Sequence, residues 1–222
     1  SNEKEDFMFS LTQYFPLVKW KRGEQGAISI LAPSVKNRIT PIIELIPIPR
    51  DLETGEQSRS LEDHVGIALK ALEQVWGGSA LFYLDCDEIS SDQSTNDMFG
   101  PGYTFENANN HGLNFIPVVG LKRDRIQIDE AKQHNKNGLC IRIDLNDLEN
   151  GTLSSDLEKF IENNNLSLSN TDLVVDMGSI EEQRPILVEN LARTFFQSIP
   201  NISVWRNLIL IASAFPASMG VV

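Results

Sequence analysis

The sequence predicts an α/β fold in which short buried strands alternate with helices. Its apolar residues gather in runs of four to eight that Gly, Pro, Asn or charged residues interrupt. Because these runs are nearly continuously apolar, they are typical of strands covered on both faces, as in a parallel sheet. The predicted strands are residues 15–20, 40–46, 80–85, 114–121, 139–145, 172–177 and 208–214.

Helical periodicity separates most of these runs. The clearest helix follows Ser60, a good N-cap residue, and ends at Gly77, which can adopt the left-handed conformation of a helix end. Another strong helix is predicted over residues 179–196, with Leu187, Leu191 and Phe195 buried on one face. The remaining predicted helices cover residues 24–31, 105–111, 129–137 and 154–165.

This order favours a (β/α) TIM-like barrel over a doubly wound sheet. No glycine-rich phosphate-binding motif follows any strand, and polar residues cluster at the carboxyl ends of the strands, where barrel sites lie. Seven strands are visible, so we expect a barrel that is incomplete before its eighth strand. We expect residues 1–7 to be a disordered leader or an added remnant, and residues 8–222 to be one domain.

Composition limits the classes of function. The formal net charge is -12, which does not favour nucleic acid as a partner, although a local basic patch keeps that interaction open. The sequence has no uninterrupted apolar stretch of about 18 residues, so a membrane-spanning helix is not expected. The charged start of the chain does not resemble a secretory signal. Two cysteines without zinc-ligand spacing indicate reduced thiols, so we expect a cytoplasmic protein.

Two segments carry a family resemblance. The first is YFPLVKWKRGE, which begins at Tyr14, and the second is PIIE, which ends at Glu44. Both resemble the "beta protein" family, which is named from a T4-type bacteriophage protein and is also found in bacteria. The resemblance implies a phage or bacterial context, a start at Met8, and a chain that matches the N-terminal part of longer members.

Alternation along the strands brings charged residues to one face. Tyr83, Asp85 and Asp87 share a face, as do Cys140, Arg142 and Asp144, if each strand is extended. We therefore expect a polar mouth at the carboxyl ends of the strands. Its candidate ligand-binding residues are Lys19, Lys21, Glu44, Arg142 and Ser213. Its candidate ligands for Mg²⁺ or Mn²⁺ are Glu44, Asp85, Asp87, Asp144 and Asp176.

Two structural interpretations of these residues stay open beside the ligand site. Lys19 and Arg142 can form salt bridges with the carboxylates, or the acids can cap the helices that follow. Residues 122–125 are the densest basic stretch, and together with a stacking Trp20 they could receive a nucleotide. Cys86, flanked by two aspartates, is predicted to be an unreactive core residue.

Two functions of different classes follow. The first is a binding protein in phage–host conflict, such as phage defence, with a polar ligand pocket at the carboxyl ends of the strands and another protein as its partner. The second is a Mg²⁺- or Mn²⁺-dependent hydrolase or phosphodiesterase that uses the strand-end carboxylates. An open barrel edge would be covered by a missing C-terminal part or by another chain. No histidine lies at a predicted strand end, so barrel hydrolases that need histidines in the mouth are a poor match.

Overall fold

The computed structural model describes residues 13–90, 92, 94, 97–180 and 184–213. The expectations for the leader, for Met8 and for an eighth strand after residue 213 lie outside these residues. The strands are β1 (Leu17–Lys19), β2 (Ile42–Glu44), β3 (Phe82–Asp85), β4 (Phe115–Val119), β5 (Leu139–Ile143), β6 (Thr171–Ser179) and β7 (Asn207–Ser213). The helices are α1 (Arg22–Ser29), α2 (Pro33–Lys36), α3 (Leu61–Val75), α4 (Gly100–Asn110), α5 (Arg125–Gln133), α6 (Leu145–Leu148), α7 (Leu153–Asn164) and α8 (Pro185–Ser198).

Contacts divide the chain into two compact units. The first unit contains Tyr14–Leu139, and the second contains Gln13 and the described residues from Cys140 to Ser213. In each unit the strands follow one another in chain order, with helices between them. The predicted α/β, TIM-like (β/α) class and its seven strands are therefore confirmed. The single domain over residues 8–222 stays a prediction.

The first unit is built on four neighbouring strands. Successive strands from β1 to β4 pair in parallel, with Leu17 opposite Ile42 and Ile42 opposite Tyr83. The side chains of β2, β3 and β4 are buried throughout, which is why these runs are nearly continuously apolar in sequence. Stacked rings of Phe105 and Phe115 join α4 to this sheet.

Helix α3 begins and ends as its sequence predicts. The Ser60 hydroxyl accepts a hydrogen bond from the Asp63 amide at 3.1 Å, which satisfies one of the free N–H groups of the first turn. Gly77 has a φ of 99°, and its amide donates to the Leu72 carbonyl at 3.2 Å. A residue with a side chain would be strained at this φ, so glycine suits the end of the helix.

In the second unit β6 pairs in parallel with β7. Asp172, at the start of β6, is fully buried. It accepts hydrogen bonds from Arg206 at 2.8 and 2.5 Å and from the Asn207 side chain at 2.7 Å. Because a buried carboxylate is tolerated only when it is paired, this group fastens the start of β7 to the start of β6.

Three helix predictions need correction. Helix α4 begins at Gly100 rather than residue 105, because Pro101 fits the first turn, where its missing N–H is not needed. Helix α5 covers Arg125–Gln133 rather than residues 129–137. Helix α8 begins at Pro185 rather than residue 179, because β6 continues to Ser179. The short helices α2 and α6 were not predicted.

The apolar face of α8 is only partly buried. Phe195 is fully buried, as expected, but Leu187 is 51% exposed and Leu191 is half-buried. Ile186 and, on β7, Leu210 are also exposed. The second unit therefore presents apolar side chains that periodicity alone assigns to a core.

Within the described residues, no helix combines the length and apolar character needed to cross a membrane.

Candidate functional site

The carboxyl ends of the first three strands bring three charged residues side by side. In the parallel register Lys19 lies opposite Glu44, and Glu44 lies opposite Asp85. Residues in register on parallel strands project from the same face, so these three side chains form one row, here named the strand-end row. The structure thus brings together the three residues that sequence alternation placed at these strand ends.

Arg123, in the loop after β4, neutralises the most buried carboxylate of the row. Its guanidinium contacts both oxygens of Asp85, at 2.8 and 3.0 Å, and donates to the Val118 carbonyl at 2.8 Å. The side chain of Asp85 is 0% exposed and that of Arg123 is 9% exposed. Two parallel N–H···O contacts are the strongest ion-pair geometry in proteins, so Asp85 is held as a paired carboxylate.

Asp87 completes this cluster from the other side of Arg123. Its carboxylate lies 3.3 Å from the Arg123 Nε atom and is more than half exposed. Its backbone amide donates to Asp85 at 3.2 Å, which holds the turn after β3 in place. Arg123 therefore forms salt bridges with two of the acids that were predicted from the sequence as metal ligands.

At the other end of the row, Lys19 and Glu44 form a looser pair. The Lys19 ammonium lies 3.6 Å from Glu44, and its side chain is 55% exposed, whereas that of Glu44 is 8% exposed. Lys21 is exposed and immediately precedes α1. This part of the site therefore offers exposed positive charge beside one buried acid.

Two neighbours of the row, Cys86 and Trp20, are buried. Cys86 is fully buried, and burial, then the nearby Asp85 charge, raises the pKa of its thiol well above the ordinary value. The predicted unreactive character of this cysteine agrees with that environment. Trp20 is buried, and its Nε1 atom donates to the Ala68 carbonyl at 3.1 Å. The idea that Trp20 stacks on a base is therefore wrong.

The second unit holds a separate strand-end pair. Arg142 donates to Asp176 through Nε at 3.0 Å and through a terminal nitrogen at 2.5 Å. The other oxygen of Asp176 accepts from the Gly178 amide at 2.8 Å. A bulge interrupts the β6–β7 register between Asp176 and Ser179, and Gly178 has a φ of 63°. The bulge thus turns a backbone amide toward Asp176.

Asp144 and Ser213, also predicted as site residues of the second unit, do not belong to the Arg142–Asp176 pair. Asp144 caps α6, since its carboxylate accepts from the amides of Asn146 and Asp147 at 2.8 and 3.3 Å. Asp147 reciprocates by accepting from the Asp144 amide at 3.0 Å, which forms a capping box. Ser213 lies at the end of β7, and its carbonyl accepts from the Ile180 amide at 2.8 Å. The capping interpretation therefore describes Asp144.

The arrangement favours charge pairing over a shared metal. Among the described residues, no group of three or more His, Cys, Asp or Glu side chains is placed to hold a metal ion. Sequence reasoning placed Lys19 and Arg142 opposite the acids, but it missed Arg123 as the partner of Asp85 and the Asp172–Arg206 pair. The basic stretch after β4 was the sequence signal that could have indicated Arg123. A basic residue just before β7 was the signal that could have indicated Arg206.

Comparisons with known proteins give a family. A solved structure of the tryptophan synthase alpha chain from Legionella pneumophila subsp. pneumophila is 13% identical, with a TM-score of 0.39 over 91% of this chain and 80% of that chain. No curated protein matches the chain. A family model described as Beta protein matches residues 14–222. The predicted resemblance is thereby confirmed: the chain belongs to the Beta protein family.

Proposed function

We propose that this Beta protein family member is a cytoplasmic binding protein that acts in the conflict between bacteriophage and host. Its partner is another protein, and an anionic group of that partner contacts Lys19 and Lys21 beside Glu44. Arg142 and Ser213 are proposed as further ligand contacts in the second unit. The observation that carries this proposal is the pairing of the strand-end acids with groups of the protein itself.

Pairing matters because a metal-dependent hydrolase needs free, convergent carboxylates. A hard cation such as Mg²⁺ is held by several oxygen ligands at once. Asp85 and Asp87 contact Arg123, Asp176 contacts Arg142, and Asp144 caps a helix. To bind Mg²⁺ or Mn²⁺ at the predicted ligands, each acid would have to leave its present contact. This cost makes the hydrolase the less favoured function.

Lys19 supports the binding function through its exposure. An ammonium group carries three donors, and the contact with Glu44 at 3.6 Å takes up at most one of them. Lys21 adds a second exposed cation two residues further on. Because both positive charges face solvent, an anionic group can reach them without displacing a buried pair.

The apolar surface of the second unit supports a protein partner. Ile186 and Leu187 on α8 and Leu210 on β7 are each about half exposed or more. Exposed apolar side chains of this size are the usual core of a protein interface. We propose that further polypeptide, either a C-terminal continuation or another chain, covers them.

Two binding measurements test the proposal. Isothermal titration with an acidic oligoglutamate peptide is expected to give binding that weakens at least about tenfold in the Lys19→Gln/Lys21→Gln variant. A Lys70→Gln/Lys159→Gln variant, which removes two exposed lysines elsewhere, is the matched control and should bind as the wild type does. Equal weakening in the control would show general charge attraction and contradict the proposed site.

A metal titration and a capture experiment separate the two functions. Mn²⁺ at about 1 mM is expected to leave the melting temperature unchanged. Stabilisation that Glu44→Gln removes would instead support the hydrolase. From phage-infected cells, the wild-type chain should retain a protein that the Lys19→Gln/Lys21→Gln variant loses. Retention of the same protein by the wild type and by the variant would contradict a role for these lysines.

A further inference from the structure

A polar cleft lies in the first unit, at the amino end of β4. Its volume is about 420 Å³, which is within the range of small-molecule sites. Helices α4 and α5 both end beside it, and Leu113 and Phe115 form its apolar part. None of its lining residues is Asp or Glu, although the whole chain has a net charge of -12.

A hydrogen-bonded relay orients the ring of His134 in this cleft. Lys136 donates to Asn109 Oδ1 at 2.8 Å, and Asn109 Nδ2 lies 2.7 Å from His134 Nδ1. Lysine can only donate, so the oxygen of the Asn109 amide faces Lys136 and its nitrogen faces the histidine. His134 Nδ1 must then accept, which places the proton of a neutral ring on Nε2.

The relay leaves donors for a ligand. His134 Nε2 has no partner among the described residues, and the Lys136 ammonium makes one of the hydrogen bonds it can make. The Ser79 hydroxyl, also on the cleft wall, has none within the same residues. These donors and the positive charge of Lys136 suit a carboxylate.

A second set of bonds fixes the opposite wall. Asn137 donates to Asn114 Oδ1 at 2.8 Å and to the Phe115 carbonyl at 3.0 Å. Asn114 in turn donates to the Ser79 carbonyl at 3.1 Å. Since these amides tie three segments together, the cleft is held open before any ligand arrives, which lowers the entropic cost of binding.

The helix ends limit the charge of the ligand. The C-termini of α4 and α5 carry partial negative charge, although some of their last carbonyls already accept from amides beyond the helix, as Ala108 does from Leu113 at 3.0 Å and Ala131 from His134 at 3.2 Å. This partial charge disfavours a dianion such as phosphate more than a monoanion, and the second lone pair of each carbonyl can still accept from a hydroxyl group. We propose that the cleft binds a small polyhydroxylated carboxylate, a sugar acid, through Lys136 and the Nε2–H group of His134.

The test uses D-gluconate, D-glucose and inorganic phosphate with the whole chain. Isothermal titration is expected to show gluconate binding with a dissociation constant of about 1 mM or lower, and binding of glucose and phosphate at least about tenfold weaker. Chemical shifts of His134 and Asn109 should change with gluconate. No binding at about 50 mM, or equal affinity for glucose or phosphate, would overturn the proposal.

A pair of lysine variants locates the site. Lys136→Gln should weaken gluconate binding at least about tenfold, because it removes the positive charge and interrupts the relay. Lys132→Gln changes a lysine of α5 that does not line the cleft and should leave binding unaltered. An equal effect of both substitutions would overturn the assignment. Each variant is first compared with the wild type by thermal melting, so that a folding defect is recognised.

Discussion

Replacing Arg123 with methionine tests whether the strand-end acids depend on their buried partner. Arg123→Met keeps the apolar length of the side chain but removes the guanidinium that contacts Asp85 at 2.8 and 3.0 Å. It also removes the hydrogen bond to the Val118 carbonyl. The variant therefore leaves a fully buried carboxylate without its cation.

The expected loss follows from burial and distance. Two unit charges about 3 Å apart attract each other by about 5–6 kcal/mol at an effective dielectric constant of about 20. Removing one member of a buried pair costs about 3–5 kcal/mol, because the remaining charge is not solvated. We therefore expect Arg123→Met to lower the free energy of unfolding by about 3–5 kcal/mol at pH 7. The Asp85→Leu/Arg123→Met double variant should recover much of this loss, because neither charge of the buried pair is then left without its partner.

Urea unfolding followed by circular dichroism measures these changes. The matched control is Arg125→Met, which removes a contact with Asp129 of 3.0 Å between side chains that are 59% and 45% exposed. An exposed pair of this kind contributes about 0.2–1 kcal/mol. If Arg123→Met cost no more than the control, or if the double variant were less stable than the single one, the argument from burial would be refuted.

Other predictions concern single side chains of the first unit. Gln127 is buried, and its Nε2 atom has no hydrogen-bond partner among the described residues. Gln127→Met should therefore stabilise the protein by about 1 kcal/mol in thermal melting. The control Gln133→Met, at an exposed position, should leave the stability unchanged. Gly100→Ala should destabilise strongly, because its β-carbon would overlap the Ile89 carbonyl oxygen. Gly66→Ala, in open space on α3, should instead stabilise by about 0.5–1 kcal/mol. The opposite signs in either pair would contradict this account.

The strands could be predicted because one physical property sets them apart. Strands buried on both faces need continuous apolar sequence, and β2 to β4 have it. Helix bounds were harder, because Gly100 and Pro101 are typical of loops and yet begin α4. The exposure of Leu187 could not be predicted either, since periodicity gives the direction of an apolar face but not what covers it.

The acids of the site could be predicted, but most of their partners could not. Alternation along β3 places Asp85 at the strand end, whereas its partner lies 38 residues further along the chain. Three basic residues, Lys122, Arg123 and Arg125, follow β4, and sequence gives no means of choosing among them. The structure separates them, because Arg123 turns toward Asp85 while Arg125 contacts Asp129 on its own helix.

Three charge pairs among the described residues link neighbouring strands near their ends. Lys19 of β1 contacts Glu44 of β2, and Arg142 of β5 contacts Asp176 of β6. The Asp172–Arg206 pair links the starts of β6 and β7. Register explains this pattern, because parallel strands present their ends side by side and a charge there is closest to the next strand. Because each pair is neutral, the net charge of -12 arises outside the pairs. The Arg142–Asp176 and Asp172–Arg206 pairs, whose side chains are largely buried, should resist salt, whereas the half-exposed Lys19–Glu44 pair should weaken as salt is added.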